Sequence, residues 1–207
     1  MNPIELLHAT SVLGRRYRVL SDHIAGLLPP DSSVLDIGCG DGHIAWQIQQ
    51  RRSDVRIHGL DVLVRDDTKI PVLPFDGEHV PHDDGSFDVV MFVDVLHHTD
   101  DPNTLLREAA RVARQRVVIK DHTLDGVGAR PVLRFMDWVG NRRYHVRLPY
   151  NYWRREQWTR AFEELRWELD VWNDNLKLYR WPLSVVFERS LHFIARLSVG
   201  NSDTTLA

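Results

Sequence analysis

The chain has 207 residues, a formal net charge of −3, 43% hydrophobic residues and 27% charged residues, enough for one well-buried α/β core of ordinary globular composition. That charge supplies no global basic field for DNA or RNA. The single cysteine, Cys39, excludes an internal disulfide framework and a Cys-based zinc site, as expected of a protein of the reducing cytoplasm.

The start, MNPIELLHAT, carries Glu5 early and lacks the basic and apolar regions of a secretory signal. Apolar positions Ile4, Leu7, Leu20, Ile24, Leu27 and Leu28 predict one or two helices over residues 4–28, stopped by Pro29-Pro30. SVLDIG is a short buried strand. A helix opens at Asp41-Gly42 and runs to about Gln50. DVRIHGLD, Asp54 to Asp61, reads as a second strand, and KIPVLPFD as a third weakened by its prolines. Phe87 to Val93 is apolar throughout, as a central parallel strand covered on both faces requires.

DDPNTLLREAARVAR is the clearest helix. Asp100 or Asp101 caps it, Pro102 suits its first turn, and Leu105, Ala109 and Val112 share a face. RVVIKD is the next buried strand, so strand and helix alternate through residue 120, which argues a doubly wound parallel sheet. Past that point the period lapses into a partly helical excursion, then returns as a helix in REQWTRAFEEL. RWELDVWND and SLHFIARLSV close the chain as two strands antiparallel to each other. WPLSVVFERSLHFIARLSV is the most apolar stretch, but Glu188, Arg189 and Arg196 interrupt it well short of the about 20 residues a membrane span needs. The expected organisation is one domain over 1–207, with an N-terminal helical segment (1–30), a core (31–120), a lid-like insertion (121–155), a C-terminal helix with closing strands (156–199) and a disordered tail (200–207).

The glycine spacing is Asp36-x-Gly38-x-Gly40-x-Gly42. The dinucleotide fingerprint G-x-G-x-x-G needs its third glycine one position later. Asp36, at the end of the first strand, would repel a pyrophosphate but suits an ammonium group. The glycines let a ligand approach the backbone closely. Asp61 ends the second strand, where a carboxylate accepts ribose hydroxyls. Val62 and Leu63 can pack on an adenine face, and Asp76, after Phe75, can accept from an adenine amino group.

VLDIGCGDG, GLDV and FDGEHVPHDDGSFDVVMFVDVLHHTDDP together resemble the class I S-adenosylmethionine-dependent methyltransferases, over about Ser33 to Lys120. The likeness is greatest to the small-molecule group that includes the ubiquinone and menaquinone C-methyltransferases. The resemblance implies a Rossmann-like seven-stranded sheet, mostly parallel with a reversed C-terminal strand and helices on both faces. It implies that Asp36, Gly38, Cys39, Gly40 and Gly42 hold the methionine portion of S-adenosylmethionine, with Cys39 a small filler of the turn. It places Asp61 and Val62 at the ribose and adenine, Asp76 with Gly77 at the adenine, and Asp94 by the methionine portion and the reaction centre. The ligand's net positive charge agrees with the acid-rich stretch from Asp61 to Asp101, which has eleven Asp/Glu against two Lys/Arg.

In-line methyl transfer needs positioning, and a hydroxyl or acidic-carbon acceptor also needs a base. The candidates are His97 and His98, after the fourth strand, and His122, after the fifth. The family often carries a histidine at the His98 position, where it braces the loop, so His122 is the leading base. His79, His82, His97, His98 and His122 show no compact ligand spacing, so no metal is expected. DVLHH replaces the Asn/Asp-Pro-Pro-Tyr of base-amino methyltransferases, and a small-molecule acceptor methylated on oxygen or carbon is expected, with no nucleic acid.

From Arg130 to Arg166 there are nine Arg against four Asp/Glu, and six of seven tryptophans lie at or after Trp138. With Tyr150 and Tyr152 they suit a flat or lipid-like anionic acceptor, a self-packed lid or a homodimer face. Arg130, Arg134, Arg142, Arg143 and Arg147 equally suit a peripheral contact with an anionic membrane. A non-catalytic methyltransferase-like partner and a nicotinamide-dependent oxidoreductase are the alternatives. Calorimetry separates them: binding of S-adenosylmethionine without binding of NAD is expected, and tight NAD binding would overturn the reading.

Overall fold

A computed structural model describes residues 3–141, 148–188 and 190–200. The predicted tail from residue 201, and Arg142, Arg143, Arg147 and Arg189, lie outside the described residues. No described helix is long and apolar enough to cross a membrane.

The elements run α1 (Pro3–Ala25), β1 (Ser33–Ile37), α2 (His43–Gln49), β2 (Arg56–Asp61), β3 (Val72–Pro74), β4 (Phe87–Val93), a 3-10 turn (Leu96–His98), α3 (Pro102–Val112), β5 (Ala113–His122), α4 (Ala129–Asn141), α5 (Arg155–Glu164), β6 (Glu168–Asn173), α6 (Ser184–Phe187) and β7 (His192–Ser198). One seven-stranded sheet has the order β3-β2-β1-β4-β5-β7-β6. β1 to β5 are parallel, and β7 is reversed between β5 and β6, antiparallel to both.

The alternation of side chains in the central strands explains the layers. Leu35, Val90 and Val117 face α3 and α5 with Leu105, Ala109, Val112, Trp158 and Phe162. Val34, Met91 and Val118 face the opposite side, where Leu20 and Ile24 of α1 and Ala45 and Ile48 of α2 cover them. Each such fully buried side chain stabilises the fold by about 1.5–3 kcal/mol. α3 starts where its sequence requires: Asp101 accepts from the Asn103 N–H at 3.0 Å, and Pro102 takes the first turn.

Several boundaries depart from the sequence reading: α3 stops at Val112 and β5 begins at Ala113, where the sequence predicts helix to Arg114. Two others differ as well. α1 ends at Ala25, before Gly26, rather than at the prolines. β5 runs through Asp121 and His122, because β7 pairs with it as far as His122↔His192. His122 is therefore the last residue of the strand and not part of the segment after it. The closing helix and strands bury three of the late tryptophans, Trp153, Trp158 and Trp167, in the core, which gives those three a packing role.

Candidate active site

The turn between β1 and α2 is held by β2. Gly38 and Cys39 donate to the Leu60 carbonyl at 2.7 and 3.1 Å. Gly40 donates to Asp61 Oδ2 at 2.7 Å. All three glycines have positive φ, a region costly for other residues. Their closeness has a different object from the one expected. A Cβ on Gly38 would lie 2.5 Å from Val95 Cγ2, and one on Gly42 would lie 2.5 Å from Ile70 Cγ1. Two of the glycines thus admit the chain's own side chains. Gly40 has more room, with Arg65 nearest at 3.4 Å. Cys39 lies against Gly59, where any Cβ would meet its sulfur at 2.4 Å. It fills the turn, and burial pushes its thiol up, away from reactivity.

Asp36 is buried beside this turn, and its Oδ1 has no hydrogen-bond partner among the described residues. Burial, and then the charge of Asp61, push its carboxyl well above the usual range. Such a group fits a ligand cation, which would relieve both penalties. Asp61 also accepts from the Leu63 N–H at 2.8 Å, leaving lone pairs for further donors. Val62 and Leu63 beyond it are exposed. Gly77 packs near Val62, where a Cβ would lie 3.1 Å from Cγ1. Asp76 is exposed and shapes this corner, accepting from the Glu78 and His79 N–H groups at 2.7 Å each. The ends of β1, β2 and β3 thus place Asp36, Asp61, Val62, Asp76 and Gly77 along one end of the sheet, with Asp36 beside Asp61 and Gly77 beside Val62.

The ends of β4 and β5 carry a buried ionic network. Asp94, in left-handed backbone, pairs with Arg16 of α1 and Lys120 of β5. Burial favours its neutral form, but Arg16 and then Lys120 hold it well below the usual carboxylate range. Its charge is thus already matched inside the chain. Asp121 is fully buried and accepts from the Leu96 N–H at 3.0 Å, His97 Nδ1 at 2.6 Å and the His122 N–H at 2.8 Å. His97 Nε2 lies 3.3 Å from Asp137 of α4, which also accepts from the Tyr152 hydroxyl.

The three histidines separate clearly. Burial alone would lower the pKa of His97, but Asp121 first and Asp137 second hold it up at about 10, so it is an imidazolium at neutral pH. His122 is buried and pushed down by that burial and by Lys120. It has His97 at 3.4 Å and no open face. His98 is half-buried, its ring centroid 4.1 Å from that of His97. Burial, and then the His97 charge, lower it to about 4. His97, Asp121 and His122 do form a compact group, with ligand atoms within 4.8 Å of one another. The fold assembles it from two strand ends, which is why no ligand spacing shows in the sequence. Its shortest contact, His97 Nδ1 to Asp121 Oδ1 at 2.6 Å, is a hydrogen bond that a proton on His97 supplies.

Sequence reasoning missed Arg16, Asp121, Asp137 and the role of Lys120, and it named Tyr152 as an acceptor or lid residue without its bond to Asp137. A signal for two of them was present: Lys120 and Asp121 directly follow the apolar run Val117–Ile119 of a buried strand, where charge survives only in partnership. Arg16, one arginine among several on α1, carried none. The loop bearing Tyr150 and Tyr152 is tied to the Leu96–His98 turn by the Asn151 N–H, which donates to the His97 carbonyl at 3.1 Å.

A family model described as a methyltransferase domain matches residues 12–170. The 27-O-demethylrifamycin SV methyltransferase of Amycolatopsis mediterranei is 33% identical over 110 residues, covering 46% of this chain and 40% of that protein. The ubiquinone biosynthesis O-methyltransferase of Bordetella avium is 30% identical over 95 residues, covering 39% of this chain and 38% of its own. The chain therefore spans about two fifths of the length of these curated relatives. Among solved structures, the methyltransferase bound to the Trm112 activator in Haloferax volcanii aligns with a TM-score of 0.68 at 16% identity, over 92% of both chains, a likeness of fold.

Asp36→Ala is expected to abolish binding of S-adenosylmethionine in calorimetry. Because Asp36 is destabilised by burial, the melting temperature of the ligand-free variant should be unchanged or raised. His97 gives a pH signature. Its pKa rises from 6.5 to about 10 on folding, so the stability from the charged ring is complete below pH 6.5 and is lost as pH rises through about 10. The urea midpoint should fall across that window. His97→Gln should remove that slope and cost about 3–5 kcal/mol at pH 7, because Asp121 and Asp137 lose their common cation.

Proposed function

The chain belongs to the class I S-adenosylmethionine-dependent methyltransferases, and on that premise we propose that it methylates a hydroxyl of a small-molecule acceptor. One observation carries the reading: a buried carboxylate, Asp36, whose Oδ1 lacks a partner among the described residues, beside a glycine turn. Asp36 and the turn from Gly38 to Gly42 would hold the methionine portion of the cofactor. Asp61 would accept the ribose hydroxyls, with Val62 and Gly77 against the adenine and Asp76 at its edge. Bound there, the cofactor supplies a methyl group activated on a positively charged sulfur.

The chain's own residues supply position and a proton acceptor. The loop carrying Tyr150 forms the acceptor wall, and Tyr152 fixes Asp137 behind it. Asp94 borders the reaction centre and keeps Arg16 and Lys120 in place. The base role moves from His122 to His98. His97 is already protonated, and His122 is enclosed. His98 stays neutral at physiological pH because burial and the neighbouring imidazolium oppose a second charge. It can accept the acceptor's hydroxyl proton as the new oxygen–carbon bond forms, but the same burial and neighbouring charge weaken it as a base, so its contribution sits at the low end of about 10²–10⁴-fold. Two of the relatives are named for O-methylation, which supports a hydroxyl.

Incubation of the chain with methyl-labelled S-adenosylmethionine and small-molecule extract should place label in an extractable small molecule. His98→Gln should slow that incorporation about 100-fold or more with cofactor affinity unchanged. Label confined to RNA or protein would overturn the acceptor class, and near-normal turnover by the variant would remove His98 as base.

A further inference from the structure

Two stretches distant in sequence form one exposed apolar face. α4 turns Ala129, Leu133 and Asp137 inward, one residue per helical turn. Its outward side presents Phe135 at 53% exposure and Trp138 at 50%, with Val139 beside them. The second stretch runs from Trp181, 81% exposed, into α6, where Val185 is 60% exposed. Phe135 stacks on Phe187 with ring centroids 6.4 Å apart and planes 12° from parallel, which joins the two stretches into one patch. A helix of a globular protein ordinarily buries its aromatic stripe, and a contiguous exposed patch of this kind marks an interaction site.

The charges around the patch select the occupant. Arg130, Arg134 and Arg180 are exposed at its margin. Across residues 127–140 and 180–188 the acids are Asp137, buried against His97 and Tyr152, and Glu188, which is half-buried and accepts from the Tyr179 N–H. A second copy docking through the same patch about a two-fold axis would bring these arginines together with no exposed carboxylate to meet them. An anionic lipid surface supplies the opposite charge. It also accepts tryptophan at the headgroup boundary and lets arginine stems run along apolar surface with their charged ends in water.

We propose that the outer face of α4 and the 181–187 segment dock on an anionic lipid bilayer, with Phe135, Trp138, Trp181 and Val185 inserted at the headgroup boundary and Arg130 and Arg180 against lipid phosphates. The contact is independent of methyl transfer and is read without turnover.

The full chain is tested by co-sedimentation with vesicles of mixed phosphatidylcholine and phosphatidylglycerol, and with phosphatidylcholine alone. Strong binding to the first and weak binding to the second are expected, with binding falling as salt rises. The double variants Trp138→Ser/Trp181→Ser and Arg130→Glu/Arg180→Glu should each weaken binding about tenfold or more. Leu169→Ser, which changes an exposed apolar residue of β6, should leave binding unchanged and serves as the control for general stickiness. Circular dichroism establishes that each variant is folded. Tryptophan fluorescence should be quenched by brominated lipid, and Trp138→Phe/Trp181→Phe should remove most of that quenching. Absence of binding to the anionic vesicles by the folded chain overturns the proposal, as does equal loss with Leu169→Ser. A dimer that Trp138→Ser dissociates, or an acidic protein partner that displaces the vesicles at this face without itself touching lipid, assigns the face elsewhere and also overturns it.

Discussion

The Asp121 carboxylate is the constraint on which the rest of the site depends. It lies fully buried at the end of β5 and accepts from the Leu96 N–H, His97 Nδ1 and the His122 N–H. Two of those donors belong to the turn after β4, so one carboxylate fixes the path of that turn. Val95, immediately before it, packs into the space that Gly38 leaves open. His98, immediately after His97, is held with its ring against that imidazolium. The shape of the glycine turn and the orientation of His98, the proposed base, thus trace to one buried anion.

That anion is affordable only because it is matched. An isolated buried carboxylate would take up a proton instead of remaining charged. Here His97 supplies the opposite charge and passes it on to Asp137, which Tyr152 also satisfies. Alongside, Arg16 and Lys120 hold Asp94 ionised. Asp36 is the exception, a buried carboxyl group whose electrostatic neighbour is Asp61 and whose Oδ1 has no hydrogen-bond partner among the described residues. The contrast separates the two acids: Asp94 is matched by the chain's own cations, whereas Asp36 Oδ1 has no partner among the described residues, the feature on which its proposed cofactor role rests.

Much of the sheet was legible because a parallel strand covered on both faces must be continuously apolar, as Phe87–Val93 is, and because the alternating helix of Asp101–Val112 announces its cap and its buried stripe. Asp36, Asp61 and the glycine turn were legible for a local reason: strand, turn and helix are contiguous, so spacing in sequence is spacing in space. The glycines' purpose was less legible, since Val95 and Ile70, which occupy the room at Gly38 and Gly42, come from other parts of the chain. The sequence reading places His122 after the strand because the end of β5 is set by its pairing with β7, residues 192–198, and no local pattern encodes that partner.

The sequence by itself determined the order of strands and helices, the turn chemistry at Asp36-x-Gly38-x-Gly40-x-Gly42 and the charge expected of its ligand, because each depends on residues close together in the chain. Only the tertiary structure decided which histidine is charged, which is enclosed and which stays neutral and accessible. It also decided which tryptophans are core and which, as Trp138 and Trp181, face outward. Protonation and exposure follow from neighbours brought in by packing, and Asp121, Asp137 and Lys120 reach His97, His98 and His122 only when β4, β5, β7 and α4 converge.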